Sequence, residues 1–325
     1  MPTSEPIVSV ESLSHDYGER RALDNLSFSA SRGEIFGLLG PNGGGKTTTF
    51  RILSTLIRPT SGKVGIFGFD LLNKPREIQK RIGVVFQAPS LDKKLTAYEN
   101  LHHQGRLYGL GGAQLSSRIG YLLDRVKLGD RANEYVETFS GGMRRRVELA
   151  KGLLHGPKLL LLDEPSTGLD PGARRDLWQY LRELAQQEGV TSLLTTHYME
   201  EAAQCTRIAI LNAGKLVALG APDELRATIG GDVITIQSPN PEELQKNIAA
   251  QFSLNAELID GTLRVETPRG HELVAKLGGA FPGAIDSMTI SKPTLDDVFI
   301  KKTGHKFWVE TEPSANGKDK KKKRR

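Results

Sequence analysis

Residues 34–57 read EIFGLLGPNGGGKTTTFRILSTLI, and they leave little freedom for the fold around them. An apolar strand runs into GPNGGGKT, Gly40 to Thr47, and a helix opens directly from it. The spacing is G-x-x-x-x-G-K-[ST], and strand before, helix after is the context that pattern requires. Glycines let successive backbone N–H groups curl around an anion, and the helix N-terminus adds partial positive charge. Gly40, Pro41, Asn42, Gly43, Gly44, Gly45, Lys46, Thr47 and Thr48 are therefore the candidate phosphate cradle. Lys46 should reach the β- and γ-phosphates, and the Thr47 hydroxyl should ligand Mg²⁺. A glycine-rich turn before an ordinary helix would share the composition but not the whole pattern.

The rest of the chain extends this start into an α/β body. Residues 7–40 read as three short strands, IVSVESL, ALDNLSF and EIFGLLG, and two more apolar strands, KLLLLD (158–163) and VTSLLTT (190–196), follow alternating helices. Such alternation predicts a mainly parallel sheet. The interval 92–155 breaks the rhythm, with helical stretches near 98–109, 114–127 and 142–155, and predicts an inserted helical subdomain. IAILNA and KLVALG, turning at Gly214, and a short helix to about Ile229 close a first domain over residues 5–230. Beyond Gly230-Gly231, residues 231–305 read as βαββαβ, a small ferredoxin-like α+β domain, with a tight turn at Asp260-Gly261. A terminal helix in SKPTLDDVFIKKTG is expected to be capped by Gly304.

Two further stretches carry chemistry. Asp163 and Glu164 end the strand KLLLLD, which puts two carboxylates at the carboxyl edge of the sheet, where open α/β folds bind ligands. Asp163 suits Mg²⁺, and Glu164 suits the polarisation of an attacking water. The second stretch is ETFSGGMRRRVELA, residues 137–150. Apolar residues recur there at helical spacing and Ser140 is a good N-cap, yet the first two helical positions are Gly141 and Gly142. Each glycine costs a helix roughly 1 kcal/mol relative to alanine, so something must need bare backbone at that point.

In order, the P-loop, FSGGM, LLLLDEP, GLD and TTH resemble the nucleotide-binding subunits of ABC transporters, over residues about 5 to 230. The resemblance implies a P-loop NTPase of the ABC ATPase type, with two ATPs sandwiched head to tail between two copies. Ser140, Gly141 and Gly142 would then meet the γ-phosphate held by the partner copy. Other roles follow from the resemblance one by one. Gln87 in VVFQ would contact Mg²⁺ and sense the membrane partner, and His197 after VTSLLTT would grip the γ-phosphate. Asp170 in GLDP would cross the dimer interface, although it is also a fitting N-cap before Pro171. Tyr17 in HDYGERRAL would stack on adenine. Met143 departs from the family's signature glutamine, which implies that a polar interaction near the partner's nucleotide is missing or rearranged, and Phe139 departs from its leucine. FSGGM followed by Arg144–Arg146, with PTLDDVFIKKTG, resembles the daunorubicin/doxorubicin-resistance type of subunit, which serves exporters whose membrane half is a separate protein.

Charge and composition bound the partners. The net charge of +6 sits in the last eight residues, KDKKKKRR, which leaves 37 basic and 37 acidic residues elsewhere. The expected tail, 306–325, is disordered and solvated, or drawn to anionic lipid headgroups, or, more weakly, in contact with RNA. No apolar run approaches the roughly 18–20 residues that cross a bilayer, and MPTSEPIVSV carries no secretion pattern. A lone cysteine, Cys205, cannot form an internal disulfide. The expectation is an ATP-hydrolysing subunit at the cytoplasmic face of the cell membrane, powering a separate multi-span permease that exports a drug, lipid or polysaccharide. The alternative is a soluble ABC ATPase working on RNA, ribosomes or DNA. The neutral body and the single ATPase cassette argue against it. An import ATPase would suit a β-barrel accessory domain better than βαββαβ. A non-hydrolysing regulator would not need Lys46, Asp163, Glu164 and His197 together.

Overall fold

The computed structural model describes residues 6–307, and they fall into two compact units. The first runs to Gly231 and takes in Pro293–Val298; the second holds Asp232–Lys292 and the chain from Phe299. In the first unit six strands lie side by side in the order Lys215–Gly220, Arg207–Asn212, Ile35–Leu39, Thr191–Thr196, Leu159–Asp163 and Ile82–Val85. The last five pair in parallel, and Lys215–Gly220 returns antiparallel as an edge. Strands Ile35–Leu39, Leu159–Asp163 and Thr191–Thr196 are buried throughout, which is why they read as unbroken apolar or β-branched runs.

The parallel sheet accounts for only part of the first unit. The two opening strands are long, Val8–Tyr17 and Arg20–Ala30, and form a separate antiparallel sheet with Ser61–Ile66 and Phe69–Asp70. The two-residue link Gly18-Glu19, with Gly18 at φ +59°, folds the first onto the second. Register shifts along the pair and positive φ at Ser12 and Asn25 interrupt the alternation of faces, so the sequence reads as shorter segments. Both sheets share one core. Phe28 stacks on Phe36 at 5.3 Å, and Phe50, Ile52 and Leu53 of the helix Lys46–Leu53 are buried in the same cluster.

The helical insert consists of Ala97–Leu107, Gly112–Arg125 and Gly141–Leu153, with short 3₁₀ turns at Gly129–Arg131 and Val136–Thr138. Thr96 and Glu99 form a reciprocal capping box that starts the first of these helices. In the second unit the elements follow strand, helix, strand, strand, helix, strand. Their antiparallel sheet has the order Glu257–Ile259, Thr262–Thr267, Asp232–Gln237, Ser287–Ser291. Helices Pro241–Phe252 and Gly270–Ala280 contribute Leu244, Ile248, Leu273 and Leu277 to a core of its own. Lys306 and Phe307, assigned to a solvated tail by sequence, belong to the packed structure. Phe307 is 2% exposed and meets Phe299 edge-on at 4.9 Å, because an aromatic ring gains by burying its faces. The remaining tail, 308–325, lies outside the described residues. Among the described residues no helix is long and apolar enough to cross a membrane.

Candidate active site

The P-loop is a tight structure locked by its own backbone. Gly44 N–H donates to Pro41 O at 3.1 Å, and Gly44 O accepts from Gly214 N–H at 3.1 Å. Gly45 caps the helix at φ +104°, where an added Cβ would lie 2.8 Å from Leu23 Cδ2, so only glycine fits. Lys46 is 4% exposed, and its Nζ donates to Gly40 O at 2.7 Å and Pro41 O at 3.0 Å. Burial pulls its ammonium pKa down, opposed by the Glu164 and Asp163 carboxylates. An open cleft of about 530 Å³ lies over this loop, lined by Tyr17, Asn42, Gly43, Gly45, Lys46, Thr47, Thr48 and Glu164, with Arg20 and Ala22. Tyr17 is 44% exposed at its rim and held edge-on to His15 at 4.6 Å.

Both carboxylates arrive from the end of one strand, Leu159–Asp163. Asp163 is buried and accepts from Thr195 Oγ1 at 2.6 Å; burial raises its pKa, and the Thr195 hydrogen bond opposes the rise. Glu164 has φ +43°, a conformation that a non-glycine residue keeps only when its surroundings impose it. Thr195 Oγ1 also accepts from Glu164 N–H at 2.9 Å, so one hydroxyl fixes both acids. Gln87 Nε2 donates to Glu164 Oε2 at 3.0 Å, and His197 Nδ1 lies 3.1 Å from Glu164 Oε1. Gln87, Glu164 and His197, far apart in sequence, thus form one cluster beside the P-loop cleft.

The remaining candidates lie outside that lining. Ser140 and Gly141 are exposed, Ser140 accepting from Met143 N–H at 3.2 Å as the N-cap. Gly142 is buried, with an added Cβ falling 3.0 Å from Ala173 Cβ, so close packing is one reason for glycine there. Asp170 is exposed and accepts from Gly172 N–H and Ala173 N–H, both at 2.9 Å. These bonds, Ala173's first, lower its pKa. The Met143 sulfur accepts from Arg131 Nη1 at 3.3 Å, and Arg131 lies 5.3 Å over the Phe139 ring.

Comparison with known proteins matches residues 23–167 to the ABC transporter family and residues 220–303 to the C-terminal domain of ATP-binding proteins like DrrA1-3. The chain is 37% identical to the daunorubicin resistance ATP-binding protein DrrA3 of Streptomyces coeruleorubidus, over 93% of this chain and 97% of that one. The chain belongs to the ABC transporter ATP-binding proteins. Nod factor export ATP-binding protein I of Ralstonia nicotianae is 40% identical, over 94% of this chain and 96% of that one. Among solved structures, the ATP-binding cassette MJ0796, a dimer in a post-hydrolysis state with ADP and Pi, is 29% identical at a TM-score of 0.60. That match covers 66% of this chain and 98% of the other. An ATP-binding subunit of an ABC transporter is 32% identical at 0.62, over 69% and 93%. The fold is that of the ABC ATPases, and the activity is ATP hydrolysis coupled to transport.

Several residues of this ATPase escaped sequence reading. Thr195 looks like one more β-branched strand residue; its place beside the final Thr-His pair was the available signal. Glu201 is 1% exposed, bonded by Thr196 Oγ1 at 2.8 Å and by Ser166 Oγ, so it ties the end of Thr191–Thr196 to the segment that follows Leu159–Asp163. Arg20 on the cleft wall carried no motif at all.

Proposed function

We propose that this ATPase works as a head-to-tail pair at the cytoplasmic face of the membrane, driving an exporter whose spanning part is a separate protein. The observation that carries the reading is the division of the site. The P-loop, Asp163, Glu164, Gln87 and His197 assemble within one chain, while Ser140 and Gly141 are exposed and outside that cleft. A second copy can bring its Ser140 hydroxyl and Gly141 backbone to the γ-phosphate, and Asp170 lies on the same exposed surface. Tyr17 supplies a face for adenine, and the P-loop N–H groups bind the phosphates. Glu164 orients the attacking water, with Gln87 and His197 fixing its two oxygens. Lys46 and His197 offset the charge that develops on the transferred group.

Thr47, Gln87 and Asp163 fit Mg²⁺, a hard cation that takes few protein oxygens and completes its shell with phosphate oxygens and water. The buried Asp163 carboxylate, whose ionisation burial opposes, is a site a cation would favour. When bound, Mg²⁺ would neutralise charge on the β- and γ-phosphates. The relatives' names support this reading: one is named for daunorubicin resistance and another for Nod factor export. The KDKKKKRR tail adds attraction to anionic headgroups, about 1 kcal/mol for each Lys or Arg near the surface. The test is Glu164→Gln in Mg-ATP, followed by light scattering after size exclusion. A stable dimer with turnover reduced about 10²–10⁴-fold is expected; a persistent monomer counts against the pairing.

A further inference from the structure

Arg144, Arg145 and Arg146 follow one another on the helix Gly141–Leu153 and go three ways. Arg144 Nη1 reaches Phe139 O at 2.7 Å and Arg146 Nη1 reaches Val126 O at 3.4 Å, both within the helical insert. Arg145 turns inward and is 8% exposed. Its Nε donates to Pro165 O at 2.8 Å and its Nη2 to Asp163 O at 3.1 Å. Nη1 donates to Phe86 O at 2.6 Å and to Glu148 Oε2 at 3.0 Å. Asp163 and Pro165 are the two neighbours of Glu164, and Phe86 precedes Gln87. One planar fork therefore holds the carbonyl on each side of Glu164 and the carbonyl before Gln87. Glu164 and Gln87 are hydrogen-bonded to each other, and Glu164 keeps a φ of +43° that its neighbours must impose. Glu148 extends the tie, its Oε1 accepting from Ser90 N–H at 2.6 Å. Close approach of helix and strand makes the reach feasible. A Cβ on Gly83, in Ile82–Val85, would fall 2.2 Å from Gly152 O, so neither surface carries a side chain between them.

A buried guanidinium must find acceptors for its N–H groups, and three of the four that Arg145 uses are carbonyls beside Glu164 and Gln87. We propose that Arg145 is a positioning residue for hydrolysis: it fixes the peptides that aim Glu164 and Gln87, and ties them to the helix capped by Ser140. The inference rests on the water-orienting role given to Glu164 above.

Arg145→Lys keeps a charge opposite Glu148 and loses the planar fork. Steady-state hydrolysis and ATP binding are measured on the purified full chain for Arg145→Lys, Glu164→Gln and the double variant. The expected result is an ATP Kd within about twofold of wild type and a kcat lower by about 10²-fold, the scale of a misplaced catalytic group. The double variant should be no slower than Glu164→Gln alone, because groups acting as a unit do not add. Unchanged kcat in Arg145→Lys overturns the proposal. So does a Kd weakened as much as kcat, or effects that multiply in the double variant, since either marks a general structural role. Glu164→Gln at wild-type turnover overturns this inference and the role of Glu164 together; an inactive Glu164→Gln beside a fully active Arg145→Lys overturns this inference alone. If Arg145→Lys fails to fold, the pair Arg145→Gln with Glu148→Gln removes both buried charges at once and is judged on the same readouts.

Discussion

Glycine stands at the start of two helices, as the N-cap Gly45 of Lys46–Leu53 and as the first two residues of Gly141–Leu153, yet the glycines answer to different neighbours. At the P-loop the demand comes from within the chain. Gly45 sits at φ +104° with Leu23, Ala22 and Gly214 around the missing Cβ, and the loop is bonded to itself and to Gly214. At the second helix Gly142 fits against Ala173, but Gly141 has only Gly168 O within reach, at an ordinary 3.7 Å, and is exposed. Folding therefore explains the glycine at 45 and leaves the one at 141 unexplained. A residue that folding does not need, at an exposed helix N-terminus capped by Ser140, is what a site completed by a second molecule would require. The cost is small because the helix is already anchored by Val147, Leu149 and Leu153 in the core.

The largest effect should follow Gly45→Ala. The substitution combines a disfavoured φ with overpacking against Leu23, which together cost about 2–5 kcal/mol. It also turns the first N–H groups of the helix away from the anion they serve. Urea unfolding should show the loss of stability, and ATP titration should show affinity weakened at least about tenfold, since several charge-assisted bonds go together. Retained stability and affinity would mean that the loop has a second conformation open to an L-residue.

Gly141→Ala should act in the opposite sense on stability. Space for a methyl exists, and alanine in a helix gains up to about 1 kcal/mol over glycine, so the isolated chain should unfold at slightly higher urea. If the proposed pairing holds, turnover should nonetheless fall about tenfold, because the methyl would obstruct backbone that the partner's γ-phosphate approaches. A more stable protein with lower kcat would separate folding from function at one residue. Undiminished turnover would place the cross-chain contact elsewhere, on the Ser140 hydroxyl alone.

This contrast also marks what the sequence could disclose. The P-loop was legible because its determinants are local: strand, spacing and helix lie within a few residues, and every one is chemically distinctive. Glu164 and His197 were legible as strand ends. The cluster they form with Gln87 was not, because it depends on three neighbouring strands of the parallel sheet stopping at a common edge. Thr195 was hidden by its ordinary role as a strand residue, and Arg145 by two identical neighbours, since charge in a run of three gives no sign of which member turns inward. The antiparallel sheet was obscured for another reason. Bulges at Ser12 and Asn25 disturb the two-residue period, so Val8–Tyr17 and Arg20–Ala30 resemble fragments. Gly142 reads as a partner contact in sequence, and Ala173 adds a reason for glycine inside the chain that sequence could not show.

The smallest effect concerns Asp170, which caps a helix and lies on the exposed surface proposed for pairing. Its carboxylate accepts two backbone N–H bonds in the folded chain, Ala173's being the stronger influence, and its pKa is lowered from 3.8. The folded state therefore holds this proton less tightly than the unfolded state. The stabilisation is complete above the unfolded value and is lost as pH falls through the lower, folded one. Asparagine caps helices about as well but does not titrate there. Thermal melts of wild type and Asp170→Asn should differ most above pH 4 and converge as the pH drops below 3.8. A constant difference across that range would assign the cap to geometry rather than charge. If Asp170→Asn also lowers turnover at neutral pH while the melts nearly coincide, the residue's second duty lies on the exposed surface that carries Ser140, and the helix it starts is not where its charge matters most.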